Sequence, residues 1–410
     1  MYKRQNIVEI YKIGSLCGIL FCINILCLGQ NATSLSGQDS KYNIIQTAVP
    51  FLTIAPDSRS GALGDAGAAT SPDVNSQHWN PAKYVFSDNQ AGFSFTYTPW
   101  LSNLVSGINL LYVVGYYKIN PQSALSASLR YFSLGQIDFI NDQGKYMSTQ
   151  NPNEYAVDAA YSRKFSDKVS GAIAFRYIRS AIAQGASVDG TEAKAGWSVA
   201  SDVSVYYNTD ITLGGKDSKL AFGTDISNMG RKMSYTDIQD AEFIPINLRL
   251  GGALTTNVDD YNSFCLVADI NKLLVPTTPY YSDSIDPNTN KPMIDKGKNP
   301  DVSVPVGMIQ SFYDAPDGFK EEMQEIMYSL GLEYWYRKQF AIRAGYFNEA
   351  KNKGNRKYFT TGVGLKLNVL SLDFSYLIPV YMNNNPLART LRFSISFNFD
   401  SGKNKRKVKS

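Results

Sequence analysis

The sequence predicts an all-β chain: a transmembrane antiparallel β-barrel of about 14 strands, with an N-terminal plug-like segment ahead of it. Three observations carry that prediction. Runs of about nine to eleven residues alternate between apolar and polar side chains, which is the period of an extended strand long enough to cross a bilayer at a tilt. The connections between runs alternate between tight and long. The chain also opens on what reads as an export signal.

That signal is residues 1–29. Lys3 and Arg4 begin it, residues 13–28 are largely apolar, and Gly29 offers a small residue for cleavage. The run is short for a spanning helix, and no later stretch reaches the roughly twenty apolar residues one needs. Cys17, Cys22 and Cys27 lie inside it without a convincing lipobox. A mature chain would keep only Cys265 and so have no internal disulfide. The net charge of +4, with 19% charged residues, is too mild to suggest a nucleic-acid partner. The 27 Tyr and 21 Phe suit many strands and a membrane–water interface.

Residues 30–90 show no regular period and are rich in Gly, Ala, Ser and Pro, so they read as the plug or periplasmic segment. The glycine-rich run from Ser60 to Thr70 could cross a crowded space, because Gly lets backbones approach closely. Asn80-Pro81 marks a turn.

The barrel is read over residues 91–399. Phe93, Phe95 and Tyr97 alternate with Ser94 and Thr96 in its first strand. Leu391, Phe393, Ile395, Phe397 and Phe399 alternate with Arg392, Ser394, Ser396 and Asn398 in its last. Twelve further runs lie between, near 107–118, 125–131, 155–161, 169–177, 196–208, 220–226, 246–250, 263–271, 328–336, 340–348, 359–367 and 370–376. The connections at 120–123, 166–168, 337–339 and Asn368 are tight; those at 139–154, 179–195, 228–243 and 378–389 are longer. The longest, 272–327, would be an extracellular loop.

A soluble sandwich would turn the polar faces to water. Those faces mix small residues with Arg130, Asp158, Arg176, Asp202, Asp225, Arg249, Asp269, Glu333, Arg343, Lys366, Asp373 and Arg392. On a lipid face a mid-membrane Arg or Lys costs about 2–4 kcal/mol, so these residues should face a lumen. A lumen of about 14 strands is too wide for side chains alone to fill, which calls for the plug. The aromatic end at Phe397 and Phe399 matches a barrel-assembly signal. The basic tail 400–410 follows, read either as a solvated periplasmic extension or as a segment drawn weakly to an anionic leaflet.

The segment from Arg59 to Ala82 carries Gly61, Gly64, Asp65, Asp73, Asn80 and Pro81, and it resembles the N-terminal region of the FadL-like outer-membrane barrel superfamily. The stretches from Ala48 to Arg59, Ala69 to Ser76 and Trp79 to Tyr84 are similar to the PorV family of the type IX secretion system. The resemblance implies a Bacteroidetes-type outer membrane and a non-enzymatic carrier without cofactor. Such a carrier takes secreted cargo proteins by their C-terminal signal domain from the translocon and delivers them to a cell-surface attachment complex amid lipopolysaccharide. The alternative is a FadL-like transporter of long-chain fatty acids or other hydrophobic small molecules.

Chemistry-bearing motifs are sparse. His78 is the one histidine, and no Gly-x-Ser-x-Gly elbow is present, so a packed imidazole fits better than a Ser-His hydrolase. With one His and one mature Cys no metal set is evident, and residues 282–290 lack calcium-loop spacing. The loop 272–327 is the candidate partner surface. It is stiffened by prolines such as Pro276, Pro279, Pro287, Pro292, Pro300 and Pro305, and near its end a short helix would place Phe319, Met323, Ile326 and Met327 on one face, with Glu321 and Glu325 opposite. That helix could face a partner or fold as a lid onto its own barrel.

Overall fold

Fourteen strands, joined antiparallel in chain order, close on themselves. The computed structural model describes residues 42–101, 107–140, 146–182, 187–188, 191–236, 241–285, 287, 292–381 and 385–400. The expected export signal (1–29) and the tail beyond Asp400 lie outside the described residues. The strands are β1 Ala91–Pro99, β2 Ile108–Asn120, β3 Ser123–Leu134, β4 Asn153–Lys164, β5 Val169–Ser180, β6 Gly196–Leu213 and β7 Lys216–Gly230. They continue with β8 Asn247–Asn257, β9 Asn262–Leu273, β10 Met327–Tyr336, β11 Phe340–Asn348, β12 Lys357–Leu367, β13 Leu370–Pro379 and β14 Leu391–Phe399.

Closure is made by β1 and β14, in register from Ala91 opposite Phe399 to Tyr97 opposite Phe393. No edge is left to template aggregation or to expose unpaired backbone to lipid. Across this seam Phe93, Phe95, Phe393 and Ile395 point outward and are exposed, while Ser94, Thr96, Ser394 and Ser396 point inward and are buried. The inward hydroxyls bond across the seam, Thr96 Oγ1 to Ser394 Oγ at 2.7 Å and Ser396 Oγ to Ser94 Oγ at 2.9 Å. The same inversion runs round the barrel: the largest fully buried side chains include Arg343 and Arg392, whereas Phe175, Leu266 and Phe359 are exposed.

The strand count stands, but one hairpin is longer than the alternation suggested. β6 has 18 residues and β7 has 15, joined through Gly214 and Gly215. Beyond Tyr207 the run Asn208-Thr209-Asp210 is polar throughout, and Ile211 and Leu213 resume the outward apolar positions. Three of the longer connections each carry a two-stranded hairpin that the sequence reading did not include. The longest connection begins at Leu274 and ends at Ile326, because Lys272, Leu273 and Met327 belong to strands.

Residues 42–90 lie inside the barrel. Asn43 N–H donates to Asn352 O (3.0 Å) at the end carrying the long connections, and Gln90 N–H donates to Phe399 O (2.9 Å) at the other. Between them sit two single-turn helices, α1 Ser58–Gly61 and α2 Ser76–Trp79, and two 3-10 turns, Pro50–Thr53 and Pro81–Phe86. Asp57 caps α1 by accepting from Ser60 N–H at 2.9 Å.

Glycines let this segment fit. Gly64 has φ +70° and packs backbone to backbone on β11, where a Cβ on Gly345 would lie 2.0 Å from Gly64 N. A Cβ on Gly223 of β7 would lie 2.0 Å from Ala68 O. Gly345→Ala with Gly223→Ala is therefore expected to leave the barrel heat-modifiable on gels while displacing the segment, at a cost of about 1–3 kcal/mol. Limited trypsinolysis reads the outcome: the parent resists cleavage at buried Arg59 and Lys83, and the variant should be cut there. Equal resistance would show that the glycines are not needed for close approach.

Candidate functional site

The lumen is built from ion pairs and backbone contacts that tie wall to segment. Arg59 makes a bidentate pair with Glu333, Nε to Oε2 at 3.0 Å and Nη2 to Oε1 at 2.8 Å. Its Nη1 meets Asp73 Oδ2 at 2.9 Å. Glu333 also accepts from Arg343 Nε (2.7 Å), and Arg343 Nη1 donates to Asp373 Oδ1 (2.6 Å). One chain of alternating charge therefore runs Asp73, Arg59, Glu333, Arg343, Asp373. Across the lumen Arg176 bridges Asp158 and Asp202 at 3.0 and 2.8 Å. Asp158 Oδ1 accepts from Gln77 Nε2 of the inner segment at 2.8 Å.

Other wall residues bind the segment's backbone. Arg130 Nη1 donates to Leu52 O (2.7 Å), Arg249 Nη1 to His78 O (3.1 Å) and Arg392 Nε to Ala55 O (3.2 Å). Asp269 Oδ2 accepts from Gly67 and Ala68 N–H at 2.7 and 2.9 Å. Four of the inward charges anticipated on the strands, Arg130, Arg249, Asp269 and Arg392, thus satisfy an irregular backbone that has no ladder of its own, while Asp158, Arg176, Asp202, Glu333, Arg343 and Asp373 pair with side chains. Lys366 is exposed, at the periplasmic mouth.

The motif residues fall within this packing. Gly61 lies against the Arg392 side chain, where a Cβ would sit 2.8 Å from Nη1. Asp65 accepts from Tyr358 Oη at 2.5 Å, and Asp73 holds Arg59. Asn80 accepts from Ala82 N–H and donates to Ala68 O and Val205 O; Pro81 opens the next turn and accepts from Ser162 Oγ at 2.8 Å. Their partners give each a structural role.

His78 Nδ1 sits 2.6 Å from Arg130 Nη2, and its ring meets Trp79 edge-on at 4.6 Å. Burial, then the charge of Arg130, holds the imidazole well below its ordinary pKa and hence neutral. Among the described residues no hydroxyl hydrogen-bonds it. Burial also raises the Asp57 carboxyl to about 6, and Asp73 adds to the rise. A cavity of about 310 Å³ remains at the periplasmic mouth, beside Arg59, Asp88 and Lys338. Another of about 230 Å³ lies under the outer connections, lined by Ile44, Leu52, His78, Arg249, Asn271 and Lys353.

The long connection carries helices α3 Val304–Gln310 and α4 Phe319–Gln324. On α4 the acidic side faces inward. Lys353 Nζ meets Glu321 at 2.6 Å and Glu325 at 3.0 Å, and Lys272 Nζ meets Glu322 at 3.2 Å and Glu325 at 2.5 Å. Asn43 Nδ2 donates to Glu321 Oε1 at 2.9 Å, tying the inner segment to the same cluster. Phe319 and Met323 are left outward, 80% and 44% exposed. The expected four-residue face divides: Ile326 is half-buried, and Met327 starts β10 and packs with Phe347, Tyr358 and Leu377. The sequence reading missed exposed Ile309 and Phe312, whose signal was an apolar run behind Ser303 and Pro305.

Glu333→Ala would leave two buried guanidiniums short of their shared acceptor. It should lower the unfolding free energy in detergent by about 3–5 kcal/mol, read as a lower urea midpoint. A shift under about 1 kcal/mol would place little weight on that acceptor.

The family described as type IX secretion system protein PorV matches residues 36–280, more than half of the chain. No curated protein sequence matches it. Similar solved structures include the toluene transporter TbuX of Ralstonia pickettii, at 11% identity and TM-score 0.41, covering 84% of this chain and 98% of that one. The CymD monoaromatic hydrocarbon channel has 13% identity and TM-score 0.45, covering 85% of this chain and 98% of that one. A FadL homologue from Pseudomonas aeruginosa has 11% identity and TM-score 0.40, covering 87% and 99%.

Proposed function

This chain belongs to the family of the type IX secretion system protein PorV, an outer-membrane barrel family, and we propose that it serves as a carrier for secreted proteins. In this reading it binds the C-terminal signal domain of cargo leaving the translocon and delivers it to the surface attachment complex. It acts on its outer rim, without catalysis, while residues 42–90 plug the lumen.

The observation that carries the reading, beyond family membership, is the rim itself. The end of the long connection holds Glu321, Glu322 and Glu325 against Lys272 and Lys353, and Phe319, Met323, Ile309 and Phe312 are turned outward. Exposed aromatic and methionine side chains on an anchored scaffold suit a surface that accepts protein partners at low ordering cost. A FadL-like transporter would instead call for an apolar pocket beneath the loops. The cavity there mixes Ile44 and Leu52 with His78, Arg249, Asn271 and Lys353.

Affinity capture from solubilised membranes tests the reading. The tagged protein is expected to retain secreted proteins whose C-terminal domains are uncleaved, identified by mass spectrometry. Phe319→Glu with Met323→Glu should reduce their recovery at least fivefold without changing the barrel's heat-modifiability. Recovery of none by the parent, with fatty acid bound in the lumen, would favour the transporter. Undiminished recovery by the variant would remove α4 from the binding surface.

A further inference from the structure

Outside the barrel, at the level of the outer interface, two arginines flank one tryptophan. Trp197 is the second residue of β6 and is 50% exposed. Arg179 of β5 stands directly opposite it, and Tyr155 of β4 stands opposite Arg179, so three adjacent strands contribute one row. Arg231, just past β7, donates its N–H to Val199 O at 3.1 Å, and its guanidinium carbon lies 5.1 Å from the Trp197 ring centre. Tyr177 borders the row, its ring 6.3 Å from that of Tyr155. Neither Arg179 nor Arg231 has an ion-pair partner among the described residues, although the lumen arginines Arg59, Arg176 and Arg343 all do.

Depth fixes what these charges meet. Trp197 and Tyr207 are ten residues apart on β6 and share its outward face; Tyr207 stacks with Phe222 at the periplasmic girdle. Ten residues of strand rise about 33 Å, or about 25 Å along the membrane normal at a tilt near 40°, which matches the height of a barrel's apolar band. The Trp197 row therefore lies where acyl chains give way to headgroups. It is on the side carrying the long connections, which in an outer membrane is the lipopolysaccharide leaflet. A guanidinium pair without internal acids matches phosphate in charge and fork geometry, and the tryptophan between them anchors at the same depth.

We propose that Arg179, Arg231 and Trp197 form a binding site for a phosphate of lipopolysaccharide's lipid A, on the outer wall of the barrel. The site is separate from the lumen and from the rim helices, and it does not depend on the carrier reading.

Native mass spectrometry of the full-length protein in detergent, incubated with diphosphoryl lipid A, tests it. The parent should retain lipid A at least fivefold better than Arg179→Gln/Arg231→Gln. Arg337→Gln, at the periplasmic girdle against Tyr261 and Tyr336, should behave as the parent. If the double variant loses heat-modifiability, Arg179→Lys/Arg231→Lys serves instead. It keeps the charge and loses the fork, so retention should fall two- to threefold. Equal retention by parent and variant would overturn the site. Displacement of lipid A by inorganic phosphate would make it a soluble-anion site, and equal retention of phosphatidylglycerol would remove the lipopolysaccharide assignment.

Discussion

The pair between Arg59 and Glu333 is the interaction on which the interior depends. The outward face of the strands is given to lipid across the apolar band, so ionised groups at that depth point inward, and a wide lumen cannot bury them by side-chain packing alone. Residues 42–90 supply the missing partners. Arg59 brings a guanidinium into contact with a wall carboxylate that already holds Arg343, and the bond is bidentate on the Arg59 side. Removing either partner strands charge where water is scarce, which is why such pairs are costly to break even when they add little net stability.

The rim uses the same chemistry for a different end. Glu321, Glu322 and Glu325 are buried on Lys272 and Lys353, so α4 is fastened by its polar side and shows its apolar side. A short helix in water does the reverse, hiding its apolar residues. The six residues of α4 could not hold such an orientation through helical propensity. Their register is imposed by lysines at the end of β9 and in the connection after β11.

Much of this was legible in the sequence wherever lipid dictates it. Fourteen strands, the closing pair and the inward charges all follow from one alternation, because a charge at an outward position within the apolar band is costly. The continuation of β6 and β7 past Tyr207 was hidden because Asn208-Thr209-Asp210 and Lys216-Asp217-Ser218-Lys219 are polar runs that interrupt the alternation. The charge pairing was hidden for another reason: Arg59 and Glu333 are 274 residues apart, and only the topology brings them together. The orientation of the short helix was left open by the sequence, because the lysines that bury Glu321 and Glu325 come from other elements. Arg179 and Trp197 each look unremarkable in sequence; their placement side by side needs the register of β5 on β6.

The inner segment and the rim are one mechanical unit. Asn43 bonds Glu321 of α4 at the outer end, while Gln90 bonds Phe399 of the closing strand at the inner end. A motion that withdrew the segment would have to break the Arg59 pair, the Asp269 contacts to Gly67 and Ala68, and the Asn43 link to the rim. These are charge-assisted bonds in buried surroundings, each roughly twice as strong as a neutral one. A pore that opened on demand would need a second arrangement able to replace them. The alternating charges satisfy one another inside the lumen, Lys272 and Lys353 hold α4 by its acidic side, and Asn43 joins the inner segment to that second cluster.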